Sequence, residues 1–421
     1  MRVPRALRQS VGRTHFWRSL ATSRWEDAIR EARLVAGQFE EMLRRAEGLA
    51  PSVARFDNDA VHVHPTIRDT ASAGSEKTLR QVVELHQSDP SKTRSPKTVL
   101  AYRNTFEVIG EIIDLDRPIG DINREDCRRL LETLRWLPSN PTKRFPKLGI
   151  VQAAEMAKRK KLASTLGPAT INAYLNRLST VMNFAVNEGL IAKNPMRGLK
   201  VADPVRAQDK RSPFSNVQLQ RIFHAPIYTG CQNDGPGYAE PGPSRPQRGR
   251  YWVPLIGLFA GMRLNEICQL DLVDVQEVDG VACFHVRPDP MARGRKRLKT
   301  RASERLVPVH PMLIDAGFLD YVARQRSSGS GRLFPDLRPS STGYYSDPFS
   351  KWFSRFLQTA GAAGPKTCFH SMRHNFKDAL RAANVDQTIG LALGGWSIGA
   401  GGNSVAEGYG RGHSVHALAA A

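Results

Sequence analysis

No apolar run in this sequence is long enough to cross a bilayer. VPLIGLFAGM at 253–262, the run of most note, is about half the ~20 residues that a spanning helix needs. Cysteine is scarce. The five residues Cys127, Cys231, Cys268, Cys283 and Cys368 are odd in number, widely scattered and without a C-x-x-C pair. That excludes a disulfide framework and a structural zinc site, and fits a reduced, cytoplasmic protein. The sequence also lacks a G-x-x-x-x-G-K-[ST] loop and any group of carboxylates or histidines at metal-ligand spacing. Neither ATP, a metal nor another cofactor is therefore expected in its chemistry. The first 25 residues are rich in arginine and free of acids, as in an organellar transit peptide, but lack the apolar centre of a secretory signal.

Acids are outnumbered. Lys plus Arg count 61 against 40 Asp plus Glu, a formal net charge of +21 over 421 residues. An excess of this size favours a polyanionic partner, with nucleic acid ahead of an anionic membrane surface. The length suits about three domains. Residues 1–48 read as a basic, DNA-binding-like module, with a strand and turn in 2–20 and an amphipathic helix over 19–48. Ser23 and Glu26 supply a capping box for that helix, and Ile29, Ala32, Ala36, Phe39 and Leu43 its apolar stripe. A disordered basic arm is the competing reading of 2–20. Residues 49–75, without periodicity, read as a linker.

Residues 76–200 carry the signals of a compact bundle of about four helices. Ser95 and Pro96 begin one helix, with Val99, Tyr102, Phe106, Ile109 and Ile113 on its stripe. Asn123 caps the next, which buries Cys127, Leu130, Leu131 and Leu134. Another runs from Pro168 to a stop at Gly189. The stretch 142–161 adds seven Lys or Arg and reads as an insert, either a solvated face or a track for a phosphate backbone. Residues 201–213 read as a second linker, and 214–421 as the last domain.

In that domain, Tyr251 to Leu270 predicts a single helix whose apolar face includes Arg263. A buried arginine needs an acid or an external anion, and Glu266 one turn on is the structural candidate. VDVQEV, Asp279-Gly280 and VACFHV predict a β-hairpin, and RLVPVH a third strand. The fold class is mainly α with a small antiparallel sheet. The Gly- and Pro-rich stretch 231–250 predicts no regular structure. Between strands two and three lies a Lys- and Arg-rich stretch, 287–305, that contains Lys299.

The constellation near the end of the chain concentrates the chemistry. His370 and Arg373 stand three apart in CFHSMRHNF, Trp396 follows Gly394 and Gly395, and Tyr409 is the only tyrosine after Arg373. With Arg263, these supply fork-shaped donors for a phosphodiester and a phenolate to attack it. A lone H-x-x-R match proves nothing, since His15 and Arg18 form another without these companions.

GMRLNEICQLDLVDV, KTRASERLVPVH, FHSMRHNF, the Gly-Gly-Trp stretch and a late Tyr occur here in that order. Together they resemble the phage-type tyrosine recombinases, the integrase family, over about residues 76–412. SPKTVLAYRNTF resembles the family's core-binding domain, and the segment from RVPRALR to EARLVAG is similar to the N-terminal module of many bacterial members. The resemblance implies that Arg263 and Arg373 clamp the scissile phosphate and that Lys299 protonates the leaving 5′ oxygen. It further implies that His370 is acid or base toward the nucleophile Tyr409, and that Trp396 fills a position held by His or Trp. The partners it implies are double-stranded DNA and a tetramer of protomers on two recombination sites, with an accessory DNA-bending or directionality protein compatible with it. The setting is the bacterial nucleoid of a cell that carries a mobile element. One departure is the Trp396–Tyr409 interval, longer than usual by several residues. The alternatives are a type IB topoisomerase-like enzyme and a catalytically silent DNA-binding regulator of this fold.

Overall fold

The computed structural model describes residues 3–4, 7–11, 35–36, 38–43, 45–46, 76–289, 296–298, 303–396 and 412–421. It divides into two compact units, Met1–Ala71 and Ser72–Ala421.

In the first unit, Arg8–Val11 forms a turn of helix where the sequence suggested strand and turn. Among residues 35–46 the described positions are helical, with Val35 buried and an exposed Arg45–Glu41 pair at 3.4 Å. Such an i,i+4 pair contributes a few tenths of a kcal/mol. The Ser23–Glu26 capping box, Ile29 and Ala32 lie outside the described residues.

The second unit begins with a helical bundle: α1 (Leu79–Ser88), α2 (Pro96–Gly110), α3 (Arg124–Trp136), α4 (Ile150–Arg159) and α5 (Pro168–Asn187). The caps are those the sequence offered. Ser95 Oγ accepts from the Thr98 N–H, and Asn123 Oδ1 from the N–H groups of Glu125 and Asp126. After α5, Gly189 takes φ +69°, and the N–H of Leu190 reaches back to the Ala185 carbonyl at 2.9 Å, closing a Schellman motif. Leu130, Leu134, Leu175, Leu178 and Met182 fill the core, whereas Val99 is 46% exposed.

One expectation needs correction here. Much of the stretch 142–161 is not an insert on the bundle. It supplies α4, whose Ile150, Ala153, Ala154 and Ala157 are buried, so the bundle has five main helices. Three alanines give that helix a face narrow enough to seat closely. Its lysines and arginines are pushed to the exposed C-terminal end, the favourable end of the helix dipole for cations.

The remainder of the unit has its own core, built on α6 (Asn216–Phe223), α7 (Gly249–Phe259), α8 (Leu264–Cys268), the strands β1 (Val275–Val278), β2 (Val281–Val286) and β3 (Arg305–Pro308), and α9 (Phe318–Ser327) and α10 (Ser346–Thr359). The sheet is antiparallel in the order β1-β2-β3, with Val275 opposite Phe284 and Phe284 opposite Val307. Asp279 and Gly280 turn the hairpin at φ +50° and +78°, the signature of a type I′ turn. The stretch 231–250 is less irregular than expected. Cys231 bridges to Pro241 and Ser244, and Gly249 already belongs to α7. The chain closes with α11 (Ser371–Ala382), α12 (Gln387–Gly394) and α13 (Val415–Ala419). No described helix is long and apolar enough to cross a membrane.

Candidate active site

The predicted helix from Tyr251 to Leu270 is two helices, and the break between them makes the site. α7 ends at Phe259, and Gly261 takes φ +57°, which an L side chain adopts only under strain. A Cβ at Gly261 would also sit 2.1 Å from the Phe376 ring. The reversal carries Arg263 off any helical stripe and onto the N-cap of α8. There its own N–H donates to Glu266 Oε2 at 2.9 Å, and its Nη1 to Glu266 Oε1 at 2.7 Å and to Ser303 Oγ at 3.2 Å. The anticipated pairing with Glu266 is therefore present. Glu266 is shared, since Arg305 Nη2 donates to its other oxygen at 3.0 Å. Burial opposes the Glu266 carboxylate, but Arg305 and then Arg263 hold its pKa below the usual carboxyl range.

α11 brings His370 to its N-cap and Arg373 into its first turn. Phe369 and Met372 anchor this region in the main core, while Asn375 locks it to the chain just before α6 by exchanging hydrogen bonds with the N–H and C=O of Phe214. Arg373 is 3% exposed. Its Nη1 donates to the Gly261 carbonyl and its Nη2 to that of Gly394 at 2.8 Å, and its buried Nε has no partner among the described residues.

The three guanidiniums meet at the C-terminal end of α12. Arg305 Nε donates to the Leu393 carbonyl at 2.8 Å, Arg373 to that of Gly394, and Arg263 Nη2 to that of Gly395 at 2.9 Å. A helix C-terminus presents carbonyls without intrahelical partners and the negative end of the dipole, so it is a natural seat for cations. Gly395 ends the helix at φ +58°, with the Arg305 guanidinium 2.8 Å from where a Cβ would stand. Any larger residue would displace that arginine.

Electrostatics shows what the cluster lacks. Among the described residues, Arg263, Arg305 and Arg373 face one carboxylate, Glu266, which leaves two net positive charges. Burial, and then Arg263, push Arg373 down to about 9, and it stays cationic at neutral pH. Burial, with Arg211, Arg373, His374 and Arg263 adding like charge, pushes His370 down to about 4. Its imidazole is therefore neutral at pH 7, and a weaker proton acceptor than an exposed histidine.

Trp396 follows at once. Its ring lies over the Arg373 guanidinium (5.0 Å) and Lys377 Nζ (5.3 Å) and packs beside Phe376. A Cβ at Gly394 would come within 2.1 Å of the indole, so the first of the two glycines exists to admit that ring. The second sets the αL turn described above.

Four predicted residues, Arg263, His370, Arg373 and Trp396, thus come together from three separate elements. Lys299 and Tyr409 lie outside the described residues. Sequence reasoning missed Arg305 and Ser303, which complete the cluster, and Lys296, which pairs elsewhere. Arg305 opens a strand and Ser303 is a common residue, so neither carried a local signal. Among the described residues no group of His, Cys, Asp or Glu is placed to hold a metal ion.

Comparison with known proteins bears on the fold. Residues 1–48 match the family model of a domain of unknown function, DUF6538. No curated protein matches the sequence. Among solved structures, the Tn1549 transposon integrase (aa 82–397), in complex with circular intermediate DNA, is 16% identical. It covers 82% of this chain and 98% of its own, with a TM-score of 0.50. The chain has the fold of this integrase. The lambda integrase tetramer bound to a Holliday junction is 15% identical over 96% of this chain and 94% of its own, with a TM-score of 0.47. In this integrase fold, the elements that position the arginine cluster all lie in the second unit, Ser72–Ala421.

Proposed function

We propose that this chain is a tyrosine-type site-specific recombinase that cleaves and rejoins double-stranded DNA through a 3′-phosphotyrosine intermediate. The observation that carries the reading is the convergence of Arg263, Arg305, Arg373, His370 and Trp396, which with Glu266 leaves two net positive charges among the described residues. A phosphodiester brings one negative charge, and a second develops as the attacking oxygen bonds to phosphorus. Positive charge beyond the one that the ground state needs favours that transition state, as electrostatic catalysis requires.

The roles follow from chemistry. Arg263, 27% exposed, is the guanidinium that meets incoming phosphate, and buried Arg373 supports it from beneath. Tyr409 attacks the phosphorus, and neutral His370 takes the phenolic proton. The P–O5′ bond breaks with its electron pair on the oxygen, and Lys299 supplies the proton. The phosphotyrosine conserves the bond energy, so a free 5′-hydroxyl reseals the strand without ATP. Recombination needs two such sites and four protomers.

The test is a denaturing gel for a covalent protein–DNA adduct, using duplexes tiled across the DNA that flanks the coding gene, in excess EDTA. Adduct from the wild-type chain and none from Tyr409→Phe is expected, with DNA binding intact in both. A strict magnesium requirement for cleavage would overturn the mechanism. Relaxation of supercoils without a preferred duplex would favour a topoisomerase-like activity, and binding without adduct a silent regulator.

A further inference from the structure

A second buried charge cluster lies outside the arginine site, and nothing above uses it. The Lys296 side chain is 3% exposed, and its Nζ donates to Asp271 Oδ2 at 2.9 Å and to Asp274 Oδ2. Asp274, 1% exposed, also accepts from Arg287 Nε at 3.1 Å and from the Asp271 N–H at 2.8 Å. Next along the chain, the Arg297 N–H donates to Gln269 Oε1 at 3.0 Å, and Gln269 Nε2 returns a bond to the Arg297 carbonyl at 3.2 Å. Leu298 then packs against the main core. On the far side, Ser303 is fully buried, and its Oγ accepts from Arg263.

The chain on either side of Lys299 is therefore fastened at two points. The upstream point is the 269–274 turn after α8, and the downstream point is Arg263. Lys299 stands three residues from Lys296 and four from Ser303, within the reach of a few peptide units of both. An apolar residue at 296 would bury as well, but it would not fix which residue sits where along the segment. An ammonium held between two carboxylates does, because its bonds are directional and a slip of one residue would leave buried charges without partners.

We propose that Lys296 is a positioning residue, clamping the chain to Asp271 and Asp274 so that Lys299 is delivered to the leaving 5′ oxygen. The proposal rests on the reading of Lys299 as the general acid. In that step the proton passes from the Lys299 ammonium to O5′ as the P–O5′ bond breaks. An alcohol leaves poorly without that proton, whereas a thiol, with a pKa near 8.5, leaves as the thiolate unaided.

The experiment takes the duplex that gives most adduct and resynthesises it with sulfur replacing the bridging 5′ oxygen at the cleaved link. Adduct formation is timed on both substrates for the wild-type full-length chain, Lys299→Ala, Lys296→Met and Asp271→Asn, each checked for folding by a thermal melt. Lys299→Ala should be slowed by about 10² or more on oxygen and restored by sulfur. Lys296→Met should be slowed about tenfold or more on oxygen and return to within roughly threefold of wild type on sulfur. Equal slowing on both substrates, or none, overturns the positioning role. Should Lys296→Met fail to fold, Asp271→Asn, which leaves Asp274 beneath the lysine, decides by the same criterion. If sulfur restores Lys299→Ala but not the Lys296 or Asp271 variant, the positioning role alone falls. If Lys299→Ala is not restored, the general-acid reading fails and takes the proposal with it.

Discussion

Two buried charge clusters occupy the same stretch of chain and obey opposite rules. Around Lys296, two cations (Lys296 and Arg287) meet two carboxylates (Asp271 and Asp274), and the charges cancel. Around Glu266, three guanidiniums meet one carboxylate among the described residues, with helix-terminal carbonyls making up part of the difference. A balanced cluster can be a structural fastening. An unbalanced one is tolerable only if an anion completes it for part of the protein's working life, because isolated charge in a protein interior costs several kcal/mol.

The sharpest way to break this contrast is to unbalance the neutral cluster. Asp274→Ala should destabilise the fold by about 3–5 kcal/mol, since it strands Arg287 and half the Lys296 pairing. Denaturant unfolding measures it, and a loss below about 1 kcal/mol would mean that the cluster fastens nothing. Arg263→Lys probes the other side. It keeps a cation beside Glu266 but loses the fork that reaches phosphate, so adduct formation should fall by about 10²–10³ with the melting temperature little changed. Inorganic phosphate should raise the melting temperature of the wild type more than that of this variant, because a ligand stabilises the state that binds it. Equal shifts would place the anion elsewhere.

Much of this was legible in the sequence because its signals were local. The bundle helices announced themselves through Ser95-Pro96, Asn123, Pro168 and Gly189, and the hairpin through Asp279-Gly280. The predicted helix over 251–270 failed for a reason that no local pattern contains. Gly261 is compelled by the Phe376 ring, a contact across 115 residues of chain, whereas the apolar periodicity continues unbroken through the turn. Arg305 escaped notice in the same way, since its partners Glu266 and Leu393 come from distant segments. The alanines of α4 were hidden behind the lysines around them.

His370 sharpens the contrast through pH. Burial and the surrounding cations push it down to about 4 from 6.5. With the folded pKa depressed, its contribution to stability is complete above pH 6.5 and is lost as pH falls from there towards 4. His86 behaves alike in the bundle, so His370→Gln should make the acid side of a stability–pH curve less steep without flattening it. An unchanged curve would mean that the folded ring keeps its ordinary pKa, so that burial and the neighbouring cations do not hold it neutral.

Trp396 should give the smallest effect. Its ring packs on Arg373, Lys377 and Phe376, a use that another aromatic ring can fill. Trp396→Phe should therefore keep adduct formation within a few-fold of wild type, and Trp396→His should lose roughly tenfold. The reverse order would assign the indole N–H a hydrogen bond to the phosphate.

The central claim is that the unbalanced cluster holds a DNA phosphate for attack by Tyr409. Proteolysis of the trapped adduct, followed by mass spectrometry of the nucleotide-linked peptide, tests it most directly. The account predicts a single modified residue, Tyr409, joined to a 3′-phosphate. Linkage at Tyr344 or Tyr345, or through a 5′-phosphate, would contradict it.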